Sequence, residues 1–244
     1  MLSCDSHRLE LAERLQVVTS ILDATHADSL ADDGPRKDIS REARGLCIVL
    51  LYAAYENLLV SLCRSILETT IDLGIENKRL KPSLQVFAIY SRLQAVTSAK
   101  PTHIWNRLGS EVVELLTHST ACTISADIFP DDGSHMRRSQ VATFCRVFGL
   151  TDPGPILREA WERIDSIVSE RNGVAHGRLK PGEVGRNYSV QELRQLTEVW
   201  LARWTDFLDW VESATSKPGF FDSGAVVATQ IAALAKSGES RRDK

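Results

Sequence analysis

Cysteine is sparse in this 244-residue chain: there are five, at positions 4, 47, 63, 122 and 145, and no CxxC pair. An odd count at wide spacing argues against a disulfide framework, and the missing pairs argue against a zinc site. Cys47 and Cys63 stand in apolar helical sequence, where a thiol acts as a small hydrophobe. Excess positive charge is lacking too. The formal net charge is −3, which disfavours a protein that coats nucleic acid through a basic surface and leaves room for a small local patch. There is no glycine-rich phosphate loop with its lysine and no GxSxG elbow, so those nucleotide-binding and hydrolase chemistries drop out. His103, His118 and His135 are scattered without metal-type partners at short spacing, and Asp131 and Asp132 beside His135 read as a solvated loop. Neither a metal nor a cofactor is expected.

A long uninterrupted apolar run is also missing. The best candidate is residues 45–67, GLCIVLLYAAYENLLVSLCRSIL, but Glu56, Asn57 and Arg64 break it. Its clean part, residues 46–54, falls far short of the roughly 20 residues that a span needs. The segment reads as a helix buried on most sides, with no membrane partner. The opening MLSCDSHRLELAERL has neither the basic start nor the apolar core of a secretory signal. A reducing cytoplasm is the expected compartment.

What is present is helical periodicity. Leu11, Leu15, Val18 and Leu22 mark an amphipathic helix over residues 6–30. A very long helix is predicted over 38–73, ending at Gly74. Two shorter ones, over 82–97 and 101–117, each open with a proline. Residues 119–134 read as a loop, and 136–148 as a short helix carrying Arg137, Arg138 and Arg146. Another long helix starts near Pro155, with Ala160, Ile164, Ile167 and Val168 as its apolar stripe. After a Gly/Pro-rich link over 177–187, Ser189-Val-Gln-Glu192 forms a capping box. The helix it opens carries Leu193, Leu196, Trp200, Trp204, Phe207 and Leu208 at spacings of three and four. That periodicity assigns the tryptophans to core packing rather than base stacking. No strand pattern and no repeat is found. The expected fold is all-α, an antiparallel helical bundle with two long helices and shorter inserted helices. Residues 1–215 form the domain, and 216–244 a partly disordered tail.

The candidate chemistry lies at the end of the second-last long helix, in RNGVAHG. At ~100° per residue, Arg171 falls at the centre of the apolar stripe. A guanidinium there must be paired, or face a cleft or a partner chain, because an unpaired buried charge is costly. Asn172 and His176 are an i,i+4 pair on one face. Arg171 and His176 lie roughly 140° apart in an ideal helix, so they converge only if the helix loosens near Gly173 or a second subunit completes the site. The plainer reading is a helix C-terminus, with His176 in the last turn and Gly177 just past it. Glu56 either pairs with Arg171 and holds it, or faces solvent at the helix edge. Tyr52 and Tyr55 read as core or interface.

This segment resembles the motif of the HEPN superfamily, an arginine, four to six residues, then a histidine, with a polar residue often after the arginine. Here these are Arg171, Asn172 and His176, with a spacer of four. LLYAAYENLLVSLC in the long early helix looks like the matching helix of the RiboL-PSP-type branch, and the likeness covers residues 6–213. The resemblance implies a metal-independent endoribonuclease, a toxin or antiviral-defence effector that works as a homodimer with two motifs facing one cleft. It implies that His176 moves the proton of the ribose 2′-OH or of the leaving oxygen, and that Arg171 stabilises charge on phosphorus. Asn172 would orient the phosphate or the histidine, with Glu56 in support and Arg178 and Lys180 on RNA phosphates. An antitoxin or activator protein would control it. Some toxins of the superfamily carry a modified tyrosine two residues after the histidine; Arg178 stands there in this chain. Two other readings stay open: a HEPN module that dimerises or binds without cutting, and a plain helical adaptor.

Overall fold

The computed structural model describes residues 2–26, 35–117, 124–125, 128, 136–217 and 219–224. The described residues are built from helices: α1 (Asp5–His26), α2 (Pro35–Asp72), α3 (Pro82–Ala88), α4 (Tyr90–Thr97), α5 (Pro101–His103), α6 (Gly109–Thr117), α7 (Arg138–Val147), α8 (Gly154–Ala175), α9 (Pro181–Gly185) and α10 (Val190–Thr215). The expected all-α bundle is what forms. Its centre is α2, which packs against α1, α8, α9 and α10. By length and apolarity its segment Ile39–Asp72 would suffice to cross a bilayer, with a mean hydropathy of 1.9 over its most apolar 18-residue stretch. Burial gives the better account of that composition. Leu51, Tyr55, Leu59, Leu62, Ile66 and Leu67 are all shielded inside the bundle, as suits a helix covered by neighbours on several sides.

The stripes read from the sequence face this centre. Leu11, Leu15, Val18 and Leu22 of α1 are buried, as are Ala160, Ile164, Ile167 and Val168 of α8. Trp200 and Trp204 of α10 are fully enclosed. Tyr55 packs against both, stacked on Trp204 at 5.4 Å and edge-on to Trp200 at 5.5 Å, an arrangement that adds to the burial of three large rings. Ser189 starts α10 as expected: its Oγ accepts from the Glu192 N–H at 3.1 Å, and Glu192 Oε2 accepts from the Ser189 N–H at 2.7 Å.

Several boundaries differ from the sequence reading. The helix expected over 82–97 breaks at Ile89, whose φ of −102° and ψ of 2° leave the helical region; the break keeps Ala88 and Ile89 both buried. The one expected over 101–117 holds a π turn at Ile104–Leu108, a wider turn that periodicity does not reveal. Most of the loop expected over 119–134, the last residues of the helix expected over 6–30 and most of the tail expected over 216–244 lie outside the described residues. The folded body also continues past residue 215. Phe220 and Phe221 are buried, Leu80 bridges to Asp222, and Arg79 pairs with Asp222.

The Gly/Pro-rich link after α8 contains a helix the sequence reading missed, α9. Pro181 sits at its first position, and Glu183 Oε2 accepts from the Lys180 N–H at 2.7 Å, so a short turn is capped despite its composition. Glycine is used there for contact. A Cβ on Gly45 of α2 would lie 1.8 Å from the Pro181 carbonyl oxygen, and one on Gly185 would lie 1.9 Å from that of Arg41. The two backbones therefore touch directly. Arg44 Nε donates to the Gly185 carbonyl at 3.0 Å, and Glu42 Oε2 accepts from the Gly182 N–H at 2.9 Å. Replacing Gly45 with alanine forces these backbones apart, and overpacking of this kind costs about 3 kcal/mol. A urea melt of Gly45→Ala is expected to show that loss; a wild-type midpoint would contradict the contact.

Candidate functional site

The site is assembled at the C-terminal end of α8. Within α8 only Arg158 departs from helical dihedrals, so the helix stays regular through Gly173. It then closes with a paired backbone motif. Gly177 has φ +67°, the Gly177 N–H donates to the Val174 carbonyl at 3.0 Å, and the Arg178 N–H donates to the Gly173 carbonyl at 2.8 Å. These bonds satisfy carbonyls that a helix end otherwise leaves open. Leu179 folds over Gly173, where a Cβ would meet its Cδ1 at 2.7 Å. His176 is the last residue before that turn. Its ring is exposed and makes no hydrogen bond among the described residues. Because backbone groups do the capping, the imidazole is left to other uses. The helix-end reading and the functional reading are therefore compatible.

Arg171, the cation on the apolar stripe, is half-buried. Its guanidinium carbon lies over the ring of Tyr52, 4.4 Å from the centroid. Its Nη1 donates to Asn172 Oδ1 at 2.9 Å. An aromatic face attracts a guanidinium by about 0.5 to 2 kcal/mol, more as water is removed. Tyr52 is itself fixed. It is 1 % exposed, its ring meets Tyr55 edge-on at 5.3 Å, and its hydroxyl donates to Glu56 Oε1 at 2.9 Å. A chain of contacts thus runs from the Trp204–Tyr55 stack through Tyr52 to Arg171 and Asn172.

Glu56 takes neither of the two roles expected of it. Among the described residues no ion pair joins it to Arg171, and it is half-buried rather than at a solvated edge. It acts on the arginine through Tyr52, its own i−4 neighbour on α2. Tyr55 has a parallel tie, donating to the Met136 carbonyl at 2.8 Å. Burial pushes its phenol pKa strongly upward, which keeps it neutral. On the other side of Arg171, Glu170 Oε2 accepts from the Tyr188 hydroxyl at 2.7 Å, tying the link to α8.

Asp165, Ser169, Asn172 and His176 follow one another at spacings of four, three and four, so they share one face of α8. A groove of about 410 Å³ lies along it, lined by Arg137, Ser169, Asn172, Gly173, Arg178 and Leu179. Of the two cations expected to meet phosphates, Arg178 lines this groove and Lys180 does not. Asp165 braces the groove's far side. It accepts from the Arg138 backbone N–H at 3.0 Å and from Arg138 Nε at 2.9 Å. Partial burial would raise its carboxyl pKa, but these bonds outweigh that and hold it below the usual carboxylate range. The sequence reading missed the seat on Tyr52 and the placement of Arg137. The first had a faint signal, an aromatic one turn before a polar interruption of an apolar helix. The second depended on how α7 docks. Among the described residues no three His, Cys, Asp or Glu side chains gather as a metal site.

A family model described as RiboL-PSP-HEPN matches residues 9–196, a span that includes Tyr52, Glu56, Arg137, Arg171, Asn172, His176 and Arg178. No curated protein and no solved structure matches.

The seat on Tyr52 has a spectroscopic signature. The ring current of Tyr52 is expected to displace the Arg171 Nε–H resonance upfield in the wild type. Tyr52→Phe keeps the ring and should keep the displacement, whereas Tyr52→Leu should abolish it. An unchanged spectrum in Tyr52→Leu would mean that the guanidinium is not held there.

Proposed function

The chain belongs to the RiboL-PSP-HEPN family, which ties it to nuclease and RNA-related function, and on that premise we propose that it is a metal-independent endoribonuclease. The observation that carries the reading is the fixed guanidinium of Arg171. It is held on Tyr52 and bonded to Asn172, on a helix whose adjoining face ends in the exposed His176. In this account His176 takes the proton from a ribose 2′-OH. The 2′-oxygen attacks phosphorus, the bond to the 5′-oxygen breaks, and that oxygen receives a proton from an imidazolium. Imidazole suits both duties near neutral pH. Arg171 meets the charge that builds on the phosphoryl oxygens, with fixed donors that need no reorganisation. Asn172 orients that guanidinium and the phosphate. The products are a 2′,3′-cyclic phosphate and a 5′-OH, and DNA, lacking the attacking hydroxyl, survives.

The roughly 140° between Arg171 and His176 on a regular helix supports a shared site. We infer a homodimer in which each copy brings one histidine to a common phosphate, one as base and one as acid. A nuclease of this kind needs restraint, so a toxin or antiviral effector controlled by an antitoxin or activator protein is the context we favour.

Incubation of the protein with tRNA, a single-stranded RNA and the matching DNA in EDTA tests this directly. RNA alone should be cut, and both His176→Ala and Arg171→Ala should lose at least about 100-fold in rate. A folded wild type that binds RNA and never cuts would replace the enzyme with a binding module. Cutting that survives both substitutions would remove the motif from the chemistry.

A further inference from the structure

Among the described residues that line the groove beside the motif, none is acidic. It is lined by two arginines, Arg137 and Arg178, by the polar Ser169 and Asn172, and by Gly173 and Leu179. The next arginine along the chain, Arg138, is neutralised by Asp165 and Glu162. Arg137 and Arg178 differ. Among the described residues neither has a carboxylate within ion-pair distance, and the side-chain bond of Arg137 is a 3.4 Å contact from Nη1 to Ser169 Oγ. Arg137 is also held in place from its backbone side. Asp165 grips the next residue through both its N–H and its guanidinium, and Gln140 Oε1 accepts from the Arg137 N–H at 2.6 Å. The start of α7 is thus laid across the Ser169–Asn172 face of α8. The Ser169 hydroxyl is committed, donating to the Asp165 carbonyl at 2.8 Å, so the donors left for a ligand are the two forked cations and the amide of Asn172, a set that suits a polyoxygen anion.

We propose that this groove binds the phosphodiester adjacent to the one that is cut, with Arg137 as a positioning residue for RNA. The assignment rests on the ribonuclease reading for what happens next door and on the groove itself for the anion. Asn172 joins the two sites, since it lines the groove and also accepts from Arg171. The groove therefore begins where the reacting centre ends. A substrate then needs a phosphate beyond the scissile one, and a dinucleotide with a single phosphate gains nothing from Arg137.

Binding of the full-length protein to a 2′-O-methylated oligoribonucleotide tests this without any cutting, because the blocked 2′-oxygen cannot attack. Anisotropy titrations across salt concentrations would compare wild type, Arg137→Gln, Arg178→Gln and Arg146→Gln, the last on the same helix as Arg138 and outside the groove. Losing one phosphate contact should weaken binding about tenfold and flatten the slope of log affinity against log salt by about 0.7. That result is expected for Arg137→Gln and Arg178→Gln and not for Arg146→Gln. A single-phosphate dinucleotide should bind Arg137→Gln and wild type alike. Equal slopes for all four proteins, or no binding by the wild type, would overturn the proposal. So would an effect confined to a 5′-phosphorylated oligonucleotide, which would assign the groove to a terminal phosphate. Binding as expected by a protein that never cuts would uphold the groove and sink the catalytic reading alone.

Discussion

A guanidinium at the centre of a buried helical stripe has to be housed, and in this protein the face of Tyr52 houses it. Full burial of a guanidinium without compensation would cost several kcal/mol. A half-exposed position over an aromatic ring avoids most of that cost while fixing the side chain in direction. The ring is only as firm as what backs it. Tyr52 leans on Tyr55, Tyr55 stacks on Trp204, and Trp204 is enclosed in α10. The tryptophan-rich helix thus contributes to the site without touching it. A lysine in the same place would be a poor substitute, since a compact ammonium has no plane to lay on the ring and no second arm for Asn172.

The end of α8 shows a division of labour between backbone and side chain. The turn at Gly177 satisfies the last carbonyls, so His176 is not consumed in capping. The chain leaving that turn is then fastened, because α9 touches α2 backbone to backbone at Gly45 and Gly185. That contact fixes the course of the link carrying Arg178 and Leu179 beside the motif. A flexible link would leave the groove without one of its walls.

Much of this was legible in the sequence for one reason: helical periodicity reports burial. The capping box at Ser189 was read from its own Ser-x-x-Glu spacing; the stripes of α1, α8 and α10 and the core placement of the tryptophans all followed from periodicity. So did the anomaly of Arg171, an arginine where the pattern demanded an apolar residue. Periodicity does not report what lies across from a face. It therefore gave two alternatives for Glu56, while the carboxylate bonds to Tyr52 on its own helix. It was also silent on α9, where glycines that resemble loop filler are contact surfaces. The π turn at Ile104–Leu108 and the break at Ile89 were hidden for a related reason, since both occur within helical composition.

The central claim is that Tyr52 acts on the reaction only through Arg171. Single-turnover RNA cleavage by Tyr52→Leu, Arg171→Ala and the double variant measures that coupling, with thermal melts confirming that each is folded. The account predicts that Tyr52→Leu slows cleavage, and that the double variant is no slower than Arg171→Ala alone. A wild-type rate for Tyr52→Leu, or losses that multiply in the double variant, would contradict it.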